Sequence, residues 1–118
     1  MDLSFVIPIK NEEESLEKLV SGITSVCKKQ KKTFEILFID DGSNDNSIAV
    51  IKKLAKKENC IHCFRLRSNF GKATALSVGF ENAKGRIIFS MDGDLQDDPM
   101  EIPNFIKKID EGYDLVNG

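Results

Sequence analysis

Apolar and polar positions along the chain switch between two periods. Leu3 to Ile9 (LSFVIPI) is a mostly apolar run closed off by polar residues, which predicts a buried first strand. Pro8 falls near its end, where a missing N–H is tolerated. In Lys10-Asn11-Glu12-Glu13-Glu14, Asn11 suits a helix N-cap and the glutamates suit the positive end of a helix dipole. Leu16, Leu19, Val20, Ile23 and Val26 then recur at helical spacing, and Lys28, Lys29, Lys31 and Lys32 close that helix. Phe34 to Ile39 (FEILFI) predicts a second strand, followed by a turn over Asp40 to Ser47 that is rich in capping residues. Ile48, Ile51, Leu54 and Ala55 mark the inner side of a second helix, with Lys52, Lys53, Lys56 and Lys57 facing water. Ile61 to Leu66 reads as a third strand, weakened by His62 and Arg65.

Beyond the loop Asn69-Phe70-Gly71-Lys72, a third helical stripe runs through Ala73, Leu76, Phe80 and Ala83, and Gly85 fits its C-cap. Arg86 to Met91 predicts a fourth strand. Ile102, Phe105, Ile106 and Ile109 give a last helix an apolar face, Gly112 stops it, and Tyr113 to Val116 begins a fifth strand. The alternation implies an α/β fold, a mainly parallel Rossmann-like sheet with right-handed crossovers and helices on both faces. No linker, repeat or low-complexity segment divides residues 1–118, so one domain is expected.

Composition narrows the function. With 118 residues, 41% hydrophobic and 31% charged, the chain has the make-up of a soluble globular domain. A formal net charge of −2 argues against a nucleic-acid binder that relies on a broad basic field, and leaves room for a nucleotide held at a local site. No apolar run approaches the roughly 20 residues of a membrane span. The start, Met1-Asp2-Leu3-Ser4, lacks the features of a signal peptide, so a cytoplasmic location is expected. The three cysteines, Cys27, Cys60 and Cys63, lack the spacing of a disulfide framework. Cys60-Ile61-His62-Cys63 looks like half of a zinc or redox motif, but it has no second cluster and enters a strand.

The candidate chemistry lies in the loops. In parallel α/β sheets ligands bind beyond the carboxyl ends of the strands. Three polar clusters fall there: Pro8 to Glu12, Asp40 to Ser43, and Asp92 to Gln96. Phe89-Ser90-Met91-Asp92-Gly93-Asp94 ends an apolar strand in two carboxylates around a glycine, a donor set for Mg²⁺ or Mn²⁺ that can also bridge to phosphate. If Gly93 bends the loop, both carboxylates serve one ligand; otherwise one touches the metal and the other the sugar or ribose. Asp41 is placed to accept from ribose hydroxyls or a base N–H, or else to cap the following helix, and Asp40 divides evenly between the two roles. Lys72 either reaches a phosphate from a helix N-terminus or is a solvated side chain. The P-loop spacing is incomplete and no G-x-G-x-x-G occurs.

Taken in order, VIPIKNEEESL, FIDDGSNDNS, RSNFGKATALSVGF and MDGDLQDDP resemble the motifs of the family 2 inverting glycosyltransferases of GT-A fold. The polyprenyl- and dolichyl-phosphate sugar transferases are the subgroup most similar. The resemblance implies that Pro8, Lys10, Glu12, Ile39 and Asp41 line a nucleobase pocket. It implies that Asp92, Gly93 and Asp94 form the D-x-D element, which holds the metal and the diphosphate of a UDP- or GDP-sugar. Gln96 falls at a donor or acceptor contact. Lys10 stands where the family usually has an aromatic residue, and its stem can cover the base instead. The acceptor half and the catalytic residues are expected beyond Gly118, which makes this the donor-binding portion of a larger domain. In the whole protein a polyprenyl phosphate acceptor and association with the cytoplasmic face of a membrane are expected.

Two other readings compete. A haloacid-dehalogenase-type phosphatase also carries D-x-D after an apolar strand, normally the first one and followed by a hydroxyl residue, whereas Leu95 and Gln96 follow here. A non-catalytic nucleotide-binding fragment, self-associating as a homodimer through an open sheet edge, is the third.

Overall fold

A computed structural model describes residues 1–66 and 71–90. In chain order they form β1 (Leu3–Ile9), α1 (Leu16–Lys29), β2 (Phe34–Asp40), α2 (Ser47–Lys57), β3 (Ile61–Arg65), α3 (Lys72–Asn82) and β4 (Ile87–Ser90). The expected last helix and fifth strand lie outside the described residues.

The four strands are parallel and lie in the order β3-β2-β1-β4. β1 pairs with β2 from Leu3↔Phe34 to Ile9↔Asp40, and on its other edge with β4 from Leu3↔Ile87 to Val6↔Ser90. Each side of β1 therefore faces protein, and six of its seven residues are buried. This is why its sequence is almost continuously apolar rather than alternating.

The period of two sorts side chains onto two faces. Leu3, Phe5, Ile7 and Ile9 of β1 join Ile36, Phe38, Ile61, Ile87 and Phe89 beneath α1 and α2, which contribute Leu16, Leu19, Val20, Ile23, Val26, Cys27, Ile51 and Leu54. Phe5 stacks on Phe89 at 5.3 Å between centroids and meets Phe34 edge-on at 6.5 Å. Val6, Leu37 and Ile39 face the other way, against Ala75 of α3. Helices thus cover both faces, as the alternation predicts. No helix among the described residues is long and apolar enough to cross a membrane.

Three local expectations are corrected. Asn11 does not cap α1: the helix starts at Leu16 after Ser15, and Asn11 adopts φ 56° in the loop before it. The apolar stripe of α3 is only partly its inner face: Leu76 and Ala83 pack half-buried against the cluster of Val6, Leu37 and Ile39, but Ala73 is exposed, Phe80 is 46% exposed, and the fully buried positions are Ala75 and Gly79. A Cβ on Gly79 would overlap the Val6 side chain, so α3 approaches β1 through its smallest residues. Gly85 is not the C-cap of α3, which is Ala83 in an extended conformation. Gly85 instead lies against the start of β1.

That contact belongs to a buried polar relay at the amino edge of the sheet. The Gly85 N–H donates to Ser4 Oγ (2.7 Å), the Ser4 hydroxyl donates to Glu35 Oε2 (2.6 Å), and the Lys84 N–H donates to the same oxygen (2.6 Å). Ser4 and Glu35 share the α3 face and pair across β1 and β2. A carboxylate only 3% exposed is tolerable here because it is hydrogen-bonded. The relay fixes the α3–β4 connection so that β4 enters in register.

The cysteines show the opposite of a reactive pair. Burial, reinforced by neighbouring Cys60, pushes the Cys27 thiol up to about 12. Burial also raises Cys60. Reactive thiols are held low rather than high.

Candidate functional site

The strand order places the carboxyl end of β1 between those of β2 and β4. The chain builds outward from β1 through β2 to β3, then returns to the far side of β1 for β4, so the sheet reverses its order there. Loops that leave in opposite directions at such a point open a crevice.

Two of those loops are fully described, and they are bound to each other. The Asp41 N–H donates to Ile9 O at 3.0 Å, carrying the β1–β2 ladder one step past the strands. The Asn11 N–H then donates to Ser43 Oγ (2.9 Å), the Glu12 N–H to Ser47 Oγ (3.0 Å) and the Glu13 N–H to Asp45 Oδ2 (3.4 Å). In return Asn11 Oδ1 accepts the N–H groups of Asn44 (2.7 Å) and Asp45 (3.3 Å). Asn11 reaches this position in a left-handed conformation, which asparagine adopts more readily than most residues.

The two adjacent aspartates have different tasks. Asp40 is fully buried, and its Oδ1 accepts the Ser43 N–H at 3.1 Å, closing a turn at the end of β2. Its Oδ2 has no hydrogen-bond partner, and Arg65 Nε stands 3.8 Å away, an ion pair without a hydrogen bond. Asp40 is therefore a loop-shaping residue. Asp41, on the α3 side of the sheet, accepts the Gly71 N–H on Oδ2 at 3.0 Å and so ties the start of α3 to the rim. The helix it serves is thus α3. At the start of α2, Asp45 Oδ1 accepts the Ser47 N–H (2.9 Å) and hydroxyl (2.6 Å).

The other residues singled out in the sequence take graded positions. Pro8 is half-buried near the end of β1, Lys10 is exposed in the following loop, and Glu12 is half-buried beside the β2–α2 loop. Ile39 is fully buried between the sheet and α3, in the layer beneath the rim. Lys72 opens α3, and its side chain lies outside the described residues. Asp92, Gly93, Asp94 and Gln96 also lie outside them. A polar cleft of about 430 Å³ is lined by Asn11 to Ser15 and Asp45. It shares only Glu12 with the predicted binding residues, so it flanks the rim. The sequence reading placed Ser43 in a rim cluster but missed that Ser43, Asp45 and Ser47 join the two loops, because their partners are more than 30 residues away. The only local signal was the capping character of their turn.

The Asp45 carboxyl is pushed up by burial, but the Ser47 hydroxyl and N–H and the Glu13 N–H outweigh this and hold it below its ordinary value. A carboxyl with a depressed folded pKa stabilises the fold above its unfolded value and loses that contribution as pH falls through the folded one. The inter-loop contact is thus expected to hold from neutral pH down to the ordinary value of 3.8 and to weaken below it. Amide exchange at Ser47 and Glu13, followed from pH 6 to pH 3 and corrected for intrinsic rates, would show protection lost only at the acid end. The Asp45→Asn variant would show no such pH step.

A parallel sheet that reverses order at β1, with polar loops gathered at its carboxyl edge, has the architecture of nucleotide-binding α/β domains. The chain belongs to glycosyl transferase family 2, whose profile matches residues 4–118. Among solved structures, it is similar to residues 1–349 of S. aureus TarS (TM-score 0.76, 23% identity), covering 94% of this chain and 33% of that one. It is also similar to the mannosyltransferase PcManGT from Pyrobaculum calidifontis in complex with GDP-Man and Mn²⁺ (TM-score 0.68, 22% identity), covering 78% of this chain and 27% of that one. A third, mannosyl-3-phosphoglycerate synthase from Rubrobacter xylanophilus, matches with TM-score 0.67 and 18% identity over 82% of this chain and 32% of its own. These likenesses establish the GT-A fold. The chain spans a third or less of the length of these structures, from 27% to 33%.

Proposed function

We propose that this chain is the donor-binding portion of a metal-dependent glycosyltransferase. It binds a UDP- or GDP-sugar, and the whole protein transfers the sugar to an acceptor, a polyprenyl phosphate. The supporting observation is the joining of the loops after β1 and β2 at the sheet's reversal point, in a chain whose D-x-D element follows β4 in sequence. Relatives of the same fold are solved with UDP, with UDP-GlcNAc, and with GDP-Man and Mn²⁺.

In this reading Pro8, Lys10, Glu12 and Asp41 border the base and ribose, with Ile39 supporting them from below. Lys72, at the start of α3, and Gln96 contact the donor, and Asp92, Gly93 and Asp94 meet the diphosphate. Three of the described carboxylates on the rim already hold loop N–H groups: Asp40 that of Ser43, Asp41 that of Gly71 and Asp45 that of Ser47. Among the described residues, no group of three or more potential metal ligands comes together. By its resemblance to the family's D-x-D element, the pair Asp92 and Asp94 would hold Mg²⁺ or Mn²⁺, and their hard oxygen donors suit either ion. When bound, the ion supplies Lewis-acid stabilisation of charge on the departing diphosphate.

The proposal needs no second copy of the chain. Among the described residues β3 is an edge strand; it carries exposed His62, Cys63 and Arg65, and polar or charged residues on an edge discourage pairing. A phosphatase of the haloacid-dehalogenase type finds no support in a member of family 2 whose D-x-D follows the fourth strand. The proposed location is the cytoplasm, with the full-length protein at the cytoplasmic face of a membrane.

Titration of the chain with UDP-GlcNAc and with GDP-mannose, each with Mn²⁺ or with EDTA, tests donor binding. Saturable binding of at least one donor in Mn²⁺, lost in EDTA, is expected. No binding of either in any condition would overturn the reading. Thermal shift gives a second readout, because a ligand that binds only the native state raises its apparent stability.

A further inference from the structure

We propose that Asn11 is a positioning residue of the donor site, fixing the loops after β1 and β2 to each other before any nucleotide arrives. The inference rests on the donor-binding function proposed above and adds a residue that would not itself touch the nucleotide.

Asn11 takes part in three side-chain-to-backbone bonds between the loops. Its own N–H goes to Ser43 Oγ at 2.9 Å, and its Oδ1 receives two successive N–H groups, those of Asn44 at 2.7 Å and Asp45 at 3.3 Å. Successive N–H groups point toward one acceptor only when the backbone turns tightly, so the amide oxygen selects one shape of the 43–45 turn. That turn is also held from beneath, where Asp40 Oδ1 accepts the Ser43 N–H. Ser43 therefore links the two sides, donating its N–H to Asp40 and accepting the Asn11 N–H on its hydroxyl.

The candidate binding residues sit on either side of this clasp. Glu12 follows Asn11 directly, and Asp41 precedes the clasped turn by two residues. Without the clasp, the loops would have to be brought into register as the ligand binds, and the ordering cost would be drawn from the binding energy. The positive φ of 56° fits this role, because it turns the Asn11 side chain back toward the second loop. The residue type follows from two demands at once: a short side chain with an acceptor oxygen, and tolerance of the left-handed region.

Substitution separates those demands. Asn11→Gly keeps the backbone conformation accessible and deletes the acceptor. Asn11→Asp keeps an acceptor oxygen in the same place. With Mn²⁺ present, Asn11→Gly is expected to raise the Kd for whichever of UDP-GlcNAc and GDP-mannose the wild type binds by about tenfold, equivalent to about 1.4 kcal/mol. Asn11→Asp should recover to within about threefold of wild type. Thermal unfolding of each ligand-free variant is measured alongside. A residue that only stabilises the fold lowers Tm and leaves the Kd of the folded protein unchanged, and that result would overturn the proposal. A Kd for Asn11→Asp as weak as that of Asn11→Gly would overturn it too, since the acceptor oxygen would then not be the operative group. If the wild type binds no donor, the function fails and this role with it; wild-type binding with an unaffected Asn11→Gly removes this role alone.

Discussion

Asp94→Ala is expected to weaken metal-dependent binding of the nucleotide sugar by about 100-fold, a loss of about 2.7 kcal/mol. The reason is electrostatic. The rim carries Glu12, Glu13, Glu14, Asp40, Asp41 and Asp45 at the end of β2 and on the two described loops, against Lys10, Arg65 and Lys72. A diphosphate entering such a field is repelled, and two unit charges 4 Å apart interact by about 4 kcal/mol at an effective dielectric of 20. A divalent cation reverses the sign of that interaction, so removing a ligand of the cation should cost far more than one hydrogen bond. Asp92→Ala should show a loss of similar size if both carboxylates hold the ion, and a smaller, metal-independent one if Asp92 meets the sugar or ribose. Calorimetric titration with Mn²⁺ and with EDTA distinguishes these outcomes. An Asp94→Ala chain that binds as tightly as wild type in Mn²⁺ would refute the assignment.

Gly85→Ala is expected to cost about 3 kcal/mol of stability, at the upper end for one added methyl in a packed site. A Cβ there would lie 2.6 Å from the Leu3 carbonyl carbon, the Ser4 nitrogen and Ser4 Oγ. Two of these are backbone atoms of the central strand and cannot rotate away. Relief would require moving β1 or the connection into β4, and either motion strains the relay from the Gly85 N–H through Ser4 to Glu35. For a chain of this size about 3 kcal/mol corresponds to a fall in Tm of roughly 10 °C. Thermal unfolding by circular dichroism checks it, and a Tm within about 2 °C of wild type would show that the connection yields cheaply.

The sequence revealed most of the described fold because its strands are buried on both faces and read as unbroken apolar runs. LSFVIPI and FEILFI matched β1 and β2 almost to the residue. The α1 stripe Leu16, Leu19, Val20, Ile23 and Val26 is the buried face observed. α3 was read only in part, Leu76 and Ala83 packing inward as expected, because its fully buried positions are Ala75 and Gly79, which add little to a hydrophobic pattern but permit the closest approach. Phe80, the most conspicuous apolar residue of that helix, points outward. Glu35 breaks an apolar run and gives no sign of being buried, because Ser4 and Lys84, its partners, are 31 and 49 residues away.

Three polar clusters were expected at one edge of the sheet; the two that fall among the described residues are joined there, and Asp92 to Gln96 lie outside them. Their internal division of labour was not legible in the sequence. Asp40 and Asp41 are adjacent and chemically identical, and only the pleat, which sends one toward Ser43 and the other toward Gly71, separates their roles. Asn11 read as a helix cap because capping and bridging two loops draw on the same short acceptor side chain.

The position of β1 has a consequence for how the chain is made. β1 precedes the strands it pairs with, and its partner on one edge, β4, does not begin until Ile87. Until then this apolar strand has that edge unsatisfied, a template for the wrong neighbour. The Ser4 hydroxyl waits at that margin for the Gly85 N–H. A translational pause or nick before that point would leave a nascent chain in want of a chaperone.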